Sequence, residues 1–155
     1  MKLDHINIRI LEILQKDADQ PLDALSEQVN LSRNACWRRI KLMEAAGVIN
    51  GRYVQVDPQA LNLGLSVLVM IRTKDHDPTW VDQFQKAVDS IPEILIAHRM
   101  TGDLDYVLRM RVTDVQDYDR VYQQLIRRVS IADISASFVM EDLKDTHVLP
   151  TYERS

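Results

Sequence analysis

A single cysteine, Cys36, stands in 155 residues. That excludes an intrachain disulfide framework and any zinc site built on several thiolates. Four glycines and five prolines are too few for a collagen-like or low-complexity chain. No stretch approaches the roughly 18 apolar residues that a membrane helix needs, so no membrane partner is expected. The start, Met1-Lys2-Leu3-Asp4-His5, is charged at once and leads into no apolar leader segment. The expectation is a cytoplasmic protein. The four histidines (His5, His76, His98 and His147) lie far apart without ligand spacing, so no metal is expected. There is no glycine-rich phosphate loop and no nucleophile motif. The chain is therefore not expected to be an enzyme and implies no cofactor. What remains is ordinary globular composition, 46% hydrophobic and 27% charged, long enough for one domain or two small ones.

The net charge of −4 at first argues against nucleic acid. It is unevenly spread. Residues 1–57 hold eight Lys/Arg and eight Asp/Glu, so the whole excess of acid lies in 58–155. Within the neutral part, the stretch from Arg33 to Lys41 carries four basic residues and no acid. A locally positive face binds a polyanion even on an acidic protein.

The first fifty residues read as three helices. Ile6, Ile10 and Leu14 recur every four residues, with Leu3 and Leu11 beside them, and Asp4 stands where a cap belongs. Pro21 ends any continuation and suits the opening of a second helix carrying Leu22, Leu25 and Val29. Asn30-Leu31 makes a tight turn. Ser32 can cap a third helix running from about Arg33 to Ala46, and Gly47 suits the left-handed position just past its end. Cys36, Ile40 and Met43 form its apolar side; Arg33, Asn34, Trp37, Arg38 and Lys41 form the opposite one. Two short helices, a tight turn and a basic N-terminal half on the second of them describe a helix-turn-helix whose last helix enters a major groove. Arg33, Asn34 and Arg38 are the expected base readers. Arg39 and Lys41 serve either phosphate or internal pairing. Trp37 either stacks on a DNA sugar or packs on the first helix. Cys36, on the apolar side, reads as core.

The remainder reads as α+β. A short linker strand is expected at Tyr53, Val54 and Val56, ended by Asp57-Pro58. Strands follow at 65–73, 94–100, 106–112 and 134–140, with helices after Asp77-Pro78 and Asp114. The expected stripes are Trp80, Phe84 and Val88 on one helix and Tyr118, Tyr122, Leu125 and Val129 on the other. The order βαββαβ is the ferredoxin-like arrangement. It divides the chain into 1–50, a helix-turn-helix; 51–62, a linker strand; and 63–155, an oligomerisation domain. With both helices on one face, the uncovered sheet face predicts a two-fold dimer.

Thr101-Gly102-Asp103-Leu104-Asp105-Tyr106 joins two of these strands. Glycine permits a sharp turn or a close backbone approach. Free N–H groups there suit a carboxylate, and Asp103 or Asp105 suits an ammonium, as a free amino acid requires. A capped hairpin turn accounts for the same residues.

Several of these residues together resemble the leucine-responsive/asparagine-synthase regulator (Lrp/AsnC) family. They are Leu3-Asp4, Ile10-Leu11, Leu25-Ser26, Leu31-Ser32, Arg39-Ile40, Glu44 and Gly47-Val48-Ile49, then Gly102, Asp105 and Tyr106, then Ser137-Phe138-Val139-Met140 and Lys144. The resemblance covers nearly the whole chain. It implies a transcriptional regulator of double-stranded DNA, dimeric and often assembled to an octamer, that takes a small amino acid effector. Leucine, methionine and cysteine are the candidates. It carries DNA contacts to Ser32, Arg33, Asn34, Trp37, Arg38, Arg39 and Lys41. Effector contacts carry to Met100, Thr101, Gly102, Asp103 and Asp105, with Ser135 and Ser137 supplied by a neighbouring subunit. Asn7 and Ser137 depart from the family pattern, the first where an acid is usual, the second where a threonine or larger residue is. An amino-acid-binding oligomer that does not bind DNA is the alternative expectation.

Overall fold

The computed structural model describes residues 1–73 and 77–152; His76 lies outside them. Contacts divide the chain into two units, one of 1–54 with 144–155 and one of 55–143. The sequence division put residues 144–155 with the sheet; the contacts group them with the helices.

The first unit holds α1 (His5–Leu14), α2 (Leu22–Gln28) and α3 (Arg33–Ala45). Each boundary has a chemical cause. Asp4 caps α1 by accepting from the Asn7 N–H at 2.8 Å, and Ser32 caps α3 by accepting from the Ala35 N–H at 3.2 Å. Pro21 stands at the start of α2, where its missing N–H costs nothing. Asn30, at φ 53°, takes the left-handed turn between α2 and α3. Gly47, at φ 66°, ends α3 with paired bonds from Gly47 N–H to the Glu44 carbonyl and from Val48 N–H to the Met43 carbonyl. Ile10, Leu25, Val29, Cys36, Ile40 and Met43 close the core between the three helices.

No strand forms over 51–57. Tyr53 and Val54 are 85% and 87% exposed, and a 3-10 turn at Pro58–Leu61 follows. An extended segment becomes a strand only when another strand takes its backbone groups, and among the described residues none is paired with it.

The second unit is a four-stranded sheet of β1 (Leu65–Arg72), β2 (Ile94–Arg99), β3 (Tyr106–Val112) and β4 (Asp133–Phe138), with α4 (Pro78–Asp89) and α5 (Val115–Arg128). The spatial order is β2-β3-β1-β4, with all neighbours antiparallel. This is the expected ferredoxin-like topology. Val67, Val69 and Ile71 of β1 and Tyr106, Leu108, Met110 and Val112 of β3 face both helices and are buried. Trp80, Phe84, Ala87 and Val88 cover them from α4, and Val121, Leu125 and Val129 from the α5 side. The α5 stripe centres on Val121 rather than Tyr122, which instead lies tilted against Tyr118 with ring centres 6.2 Å apart. Trp80 stacks on Phe84 at 5.1 Å and anchors its indole N–H on the Ser130 carbonyl at 2.6 Å. Among the described residues of this unit, no helix covers the opposite sheet face. By register it presents Leu68 and Met70 between Arg109 and Val107 on one side and Ser137 and Ser135 on the other.

Candidate nucleic-acid interface and effector turn

On α3, burial separates two faces. Cys36, Ile40 and Met43 are buried, while Ser32, Arg33, Asn34, Trp37, Arg38 and Lys41 are exposed. Burial pushes the Cys36 thiol up from its ordinary range, which keeps it protonated. Trp37 is 53% exposed, so the indole is only partly packed. Arg33 lies 3.4 Å from Asp23 of α2, a pair exposed on both sides and easily exchanged for another anion. Lys41 holds Glu44 at 2.7 Å, and Arg52 reaches the same carboxylate at 3.2 Å. Among the described residues Arg38 makes no ion pair, so its guanidinium is open to an external anion.

Arg39 behaves differently. Its Nη1 donates to Asp4 Oδ2 at 2.6 Å and to the buried Asn7 Oδ1 at 2.9 Å. Of the two roles expected for it, internal pairing is the one the geometry shows. It ties the start of α1 to the middle of α3. The Asp4 carboxyl is held below its ordinary range, first by the Asn7 N–H and further by Arg39.

In the sheet unit, the turn between β2 and β3 is closed by Met100 N–H to the Asp105 carbonyl at 2.8 Å and by Asp105 N–H to the Ile71 carbonyl at 3.0 Å. Met100, Thr101, Gly102 and Asp103 are exposed and Asp105 is half-buried. Gly102 has φ 102°, with nothing within 4 Å of the place a Cβ would occupy. The Asp105 carboxylate accepts from the Thr73 N–H at 2.8 Å, so it braces the end of β1. Ser135 and Ser137 are exposed on β4 opposite Met70 and Leu68. In the sheet order two strands separate β4 from β2, and one strand, β1, separates it from β3.

The sequence reading missed Arg72. Its Nε donates to the Asp103 carbonyl at 3.0 Å and its Nη1 lies 2.8 Å from Asp133 Oδ2. One guanidinium thus ties the exposed turn to the start of β4. A signal existed: Arg72 has the outward parity of Leu68 and Met70 at the end of an otherwise apolar strand. Among the described residues no cluster of potential metal ligands occurs, and no helix is long and apolar enough to cross a membrane.

A basic exposed face on the last helix of a helix-turn-helix, and in the same chain a ferredoxin-like sheet with an exposed turn, define a class, the DNA-binding regulator with a ligand domain. Comparison with known proteins agrees. The winged helix-turn-helix DNA-binding description matches residues 3–50, and the Lrp/AsnC ligand binding domain matches 66–149. The glutamate uptake regulatory protein of Zymomonas mobilis is 46% identical over 154 residues, 99% of this chain and 94% of that one. The crystal structure of an AsnC family transcriptional regulator from Agrobacterium tumefaciens superposes with a TM-score of 0.92 at 40% identity, covering 96% of this chain and 97% of that one. A transcriptional regulator from Neisseria meningitidis, in complex with L-Met, gives 0.90 at 31%, with the same coverage. The chain belongs to the Lrp/AsnC family of transcriptional regulators. It is a DNA-binding regulator carrying a ligand-binding domain, and its relatives are regulators rather than enzymes.

Proposed function

We propose that a small free amino acid, bound at the β2–β3 turn, modulates the assembly or the DNA binding of this regulator. The observation that carries the reading is the turn itself. Two backbone bonds close its ends, Gly102 at its tip is open to approach, and Arg72 holds the Asp103 carbonyl. Backbone N–H groups at such a turn receive a carboxylate, and the acidic side chain of Asp103 receives an ammonium. Met100, Thr101, Gly102 and Asp103 form the contact set, with Asp105 bracing it from behind. Ser135 and Ser137 complete it from another subunit. The Neisseria relative bound to L-Met supports methionine as a candidate beside leucine and cysteine.

In this reading residues 1–50 read DNA, 51–62 link, and 63–155 assemble and sense. Arg33, Asn34 and Arg38 reach base edges, Ser32 and Lys41 serve phosphate, and Trp37 flanks them. The helix-free sheet face, with Leu68 38% exposed at its centre, forms a two-fold dimer that builds toward an octamer. An effector shifts that balance only through its different affinity for the two states.

A thermal-shift screen of the twenty amino acids, followed by sedimentation and gel-shift titration with each hit, tests the reading. One or a few small amino acids should raise the melting temperature and change either assembly or DNA affinity. Twenty amino acids without effect on any of the three overturn it.

A further inference from the structure

The end of the chain folds back onto α1. Residues 147–151 make four polar contacts with Glu12 and Gln15, across 132 to 139 residues of sequence. Gln15, at the C-terminal cap of α1, offers its side-chain amide to the backbone of Leu149. Its Oε1 accepts from the Leu149 N–H at 2.7 Å, and its Nε2 donates to the Leu149 carbonyl at 3.3 Å. This two-way exchange imitates the pairing of facing strand residues, so it fixes direction as well as place. His147 Nε2 meets the Gln15 carbonyl at 3.3 Å, and the Thr151 hydroxyl donates to Glu12 Oε1 at 2.5 Å. That hydroxyl is the first cause holding the Glu12 carboxyl below its ordinary range, with Arg9 the next. Leu149 is 72% exposed, so polar geometry, not apolar burial, seats the segment.

The contact changes how the helical unit is attached. It is joined to the sheet unit by two stretches of chain, one at 54–55 and one at 143–144. A body on one linker samples a wide volume, and a second attachment narrows it. The effective concentration of a second reading head on the same duplex then depends on both attachments. The grip also reaches α3. Its purchase is the last turn of α1, and the first turn of that helix carries Asn7, which with the cap residue Asp4 holds Arg39.

We propose that residues 147–151 are a strap that positions the reading head: by gripping Glu12 and Gln15 they give the helix-turn-helix its second attachment, and so sharpen the discrimination of spacing between paired half-sites. The proposal rests on the reading of this protein as a DNA binder with paired heads. Gln15 and Glu12 are positioning residues on the far end of α1 from Asp4.

The test uses full-length wild type, Gln15→Ala and Leu149→Pro. The second variant removes the Leu149 N–H without touching α1. A half-site is first selected by the wild type from random duplexes. Affinity is then measured on one half-site, and on two half-sites whose spacing is stepped through one helical turn. Hydrogen exchange at the Leu149 amide is followed in the wild type and in Gln15→Ala. The wild type should protect that amide and bind best at one spacing. Both variants should keep single-half-site affinity within about twofold while the ratio between best and worst spacing falls by about tenfold.

Spacing profiles identical in all three proteins overturn the strap while leaving DNA recognition standing. So does a wild type indifferent to spacing, or a Leu149 amide as open in the wild type as in Gln15→Ala. Loss of single-half-site affinity in both variants shows a folding role and overturns positioning. A wild type that binds no duplex fails at the earlier reading, and the strap falls with it.

Discussion

Arg39 reaches 35 residues back along the chain to place its guanidinium 2.6 Å from the carboxylate of Asp4. The same carboxylate caps α1. One side chain therefore starts one helix and holds another, and a basic residue on the reading helix is spent inside the fold.

Arg39→Ala should lower stability by about 1–2 kcal/mol, because the half-exposed ion pair adds little but the buried Asn7 amide loses its partner. Arg38→Ala should leave stability within about 0.5 kcal/mol of wild type. Urea unfolding of the two variants separates them, and equal losses contradict the division of roles.

On DNA the order reverses. Arg38→Ala should weaken binding and reduce the slope of log affinity against log salt by about 1. Anisotropy titrations at several salt concentrations read the slope directly. An unchanged slope removes Arg38 from the interface.

Acid should loosen the helical unit through Asp4. Its carboxyl is held below the ordinary value of 3.8 by the Asn7 N–H and by Arg39. The ionised form is thus favoured in the fold, and its contribution is complete above 3.8. It is lost as pH falls through the lower folded-state value. Thermal melts between about pH 7 and pH 2 should show a decline beginning near pH 4. Asp4→Asn, which keeps a capping oxygen, should have a shallower decline. A parallel curve places the acid sensitivity elsewhere, at Glu12, Glu44 or Asp117, which are also held down in the fold.

Gly102→Ala should cost about 1–2 kcal/mol from backbone strain alone, since φ is 102° and the added methyl meets open space. The amino acid response should fall with it. A variant of wild-type stability shows that the turn adopts another conformation in solution.

Cys36 is fully buried, with its thiol pushed up by that burial. A thiol reagent should modify the native protein only as fast as the unit opens, and the unfolded protein at once. Rapid reaction of the native thiol refutes its placement in the core.

Much of this fold is legible because local chemistry and tertiary packing agree. Asp4, Ser32, Asp77 and Asp114 cap the helices they precede, and Asn30 and Gly47 take the left-handed positions their places demand. Alternation along 106–112 gives the buried face of β3 residue by residue. The linker strand fails for a physical reason, since Tyr53, Val54 and Val56 have strand-forming side chains but no partner backbone. On α5, aromatic size misled: Val121 is fully buried in the core and Tyr122 only half-buried. At the sites, the exposed side of α3 follows from period and sets Arg38 apart from Arg39, but the choice between phosphate and internal pairing for Arg39 needed the knowledge that Asp4 and Asn7 stand opposite it. Arg72, Glu12 and Gln15 are polar side chains whose partners lie far along the chain. Spacing shows that Arg72 faces outward but not what any of the three pairs with.

The Gln15–Leu149 clasp makes the DNA-reading module discontinuous in the gene. A fragment cut at Val54, or a chimera that exchanges only the first fifty codons, leaves behind a piece of what it means to transplant. Two crossovers are required, one near 54–55 and one near 143–144.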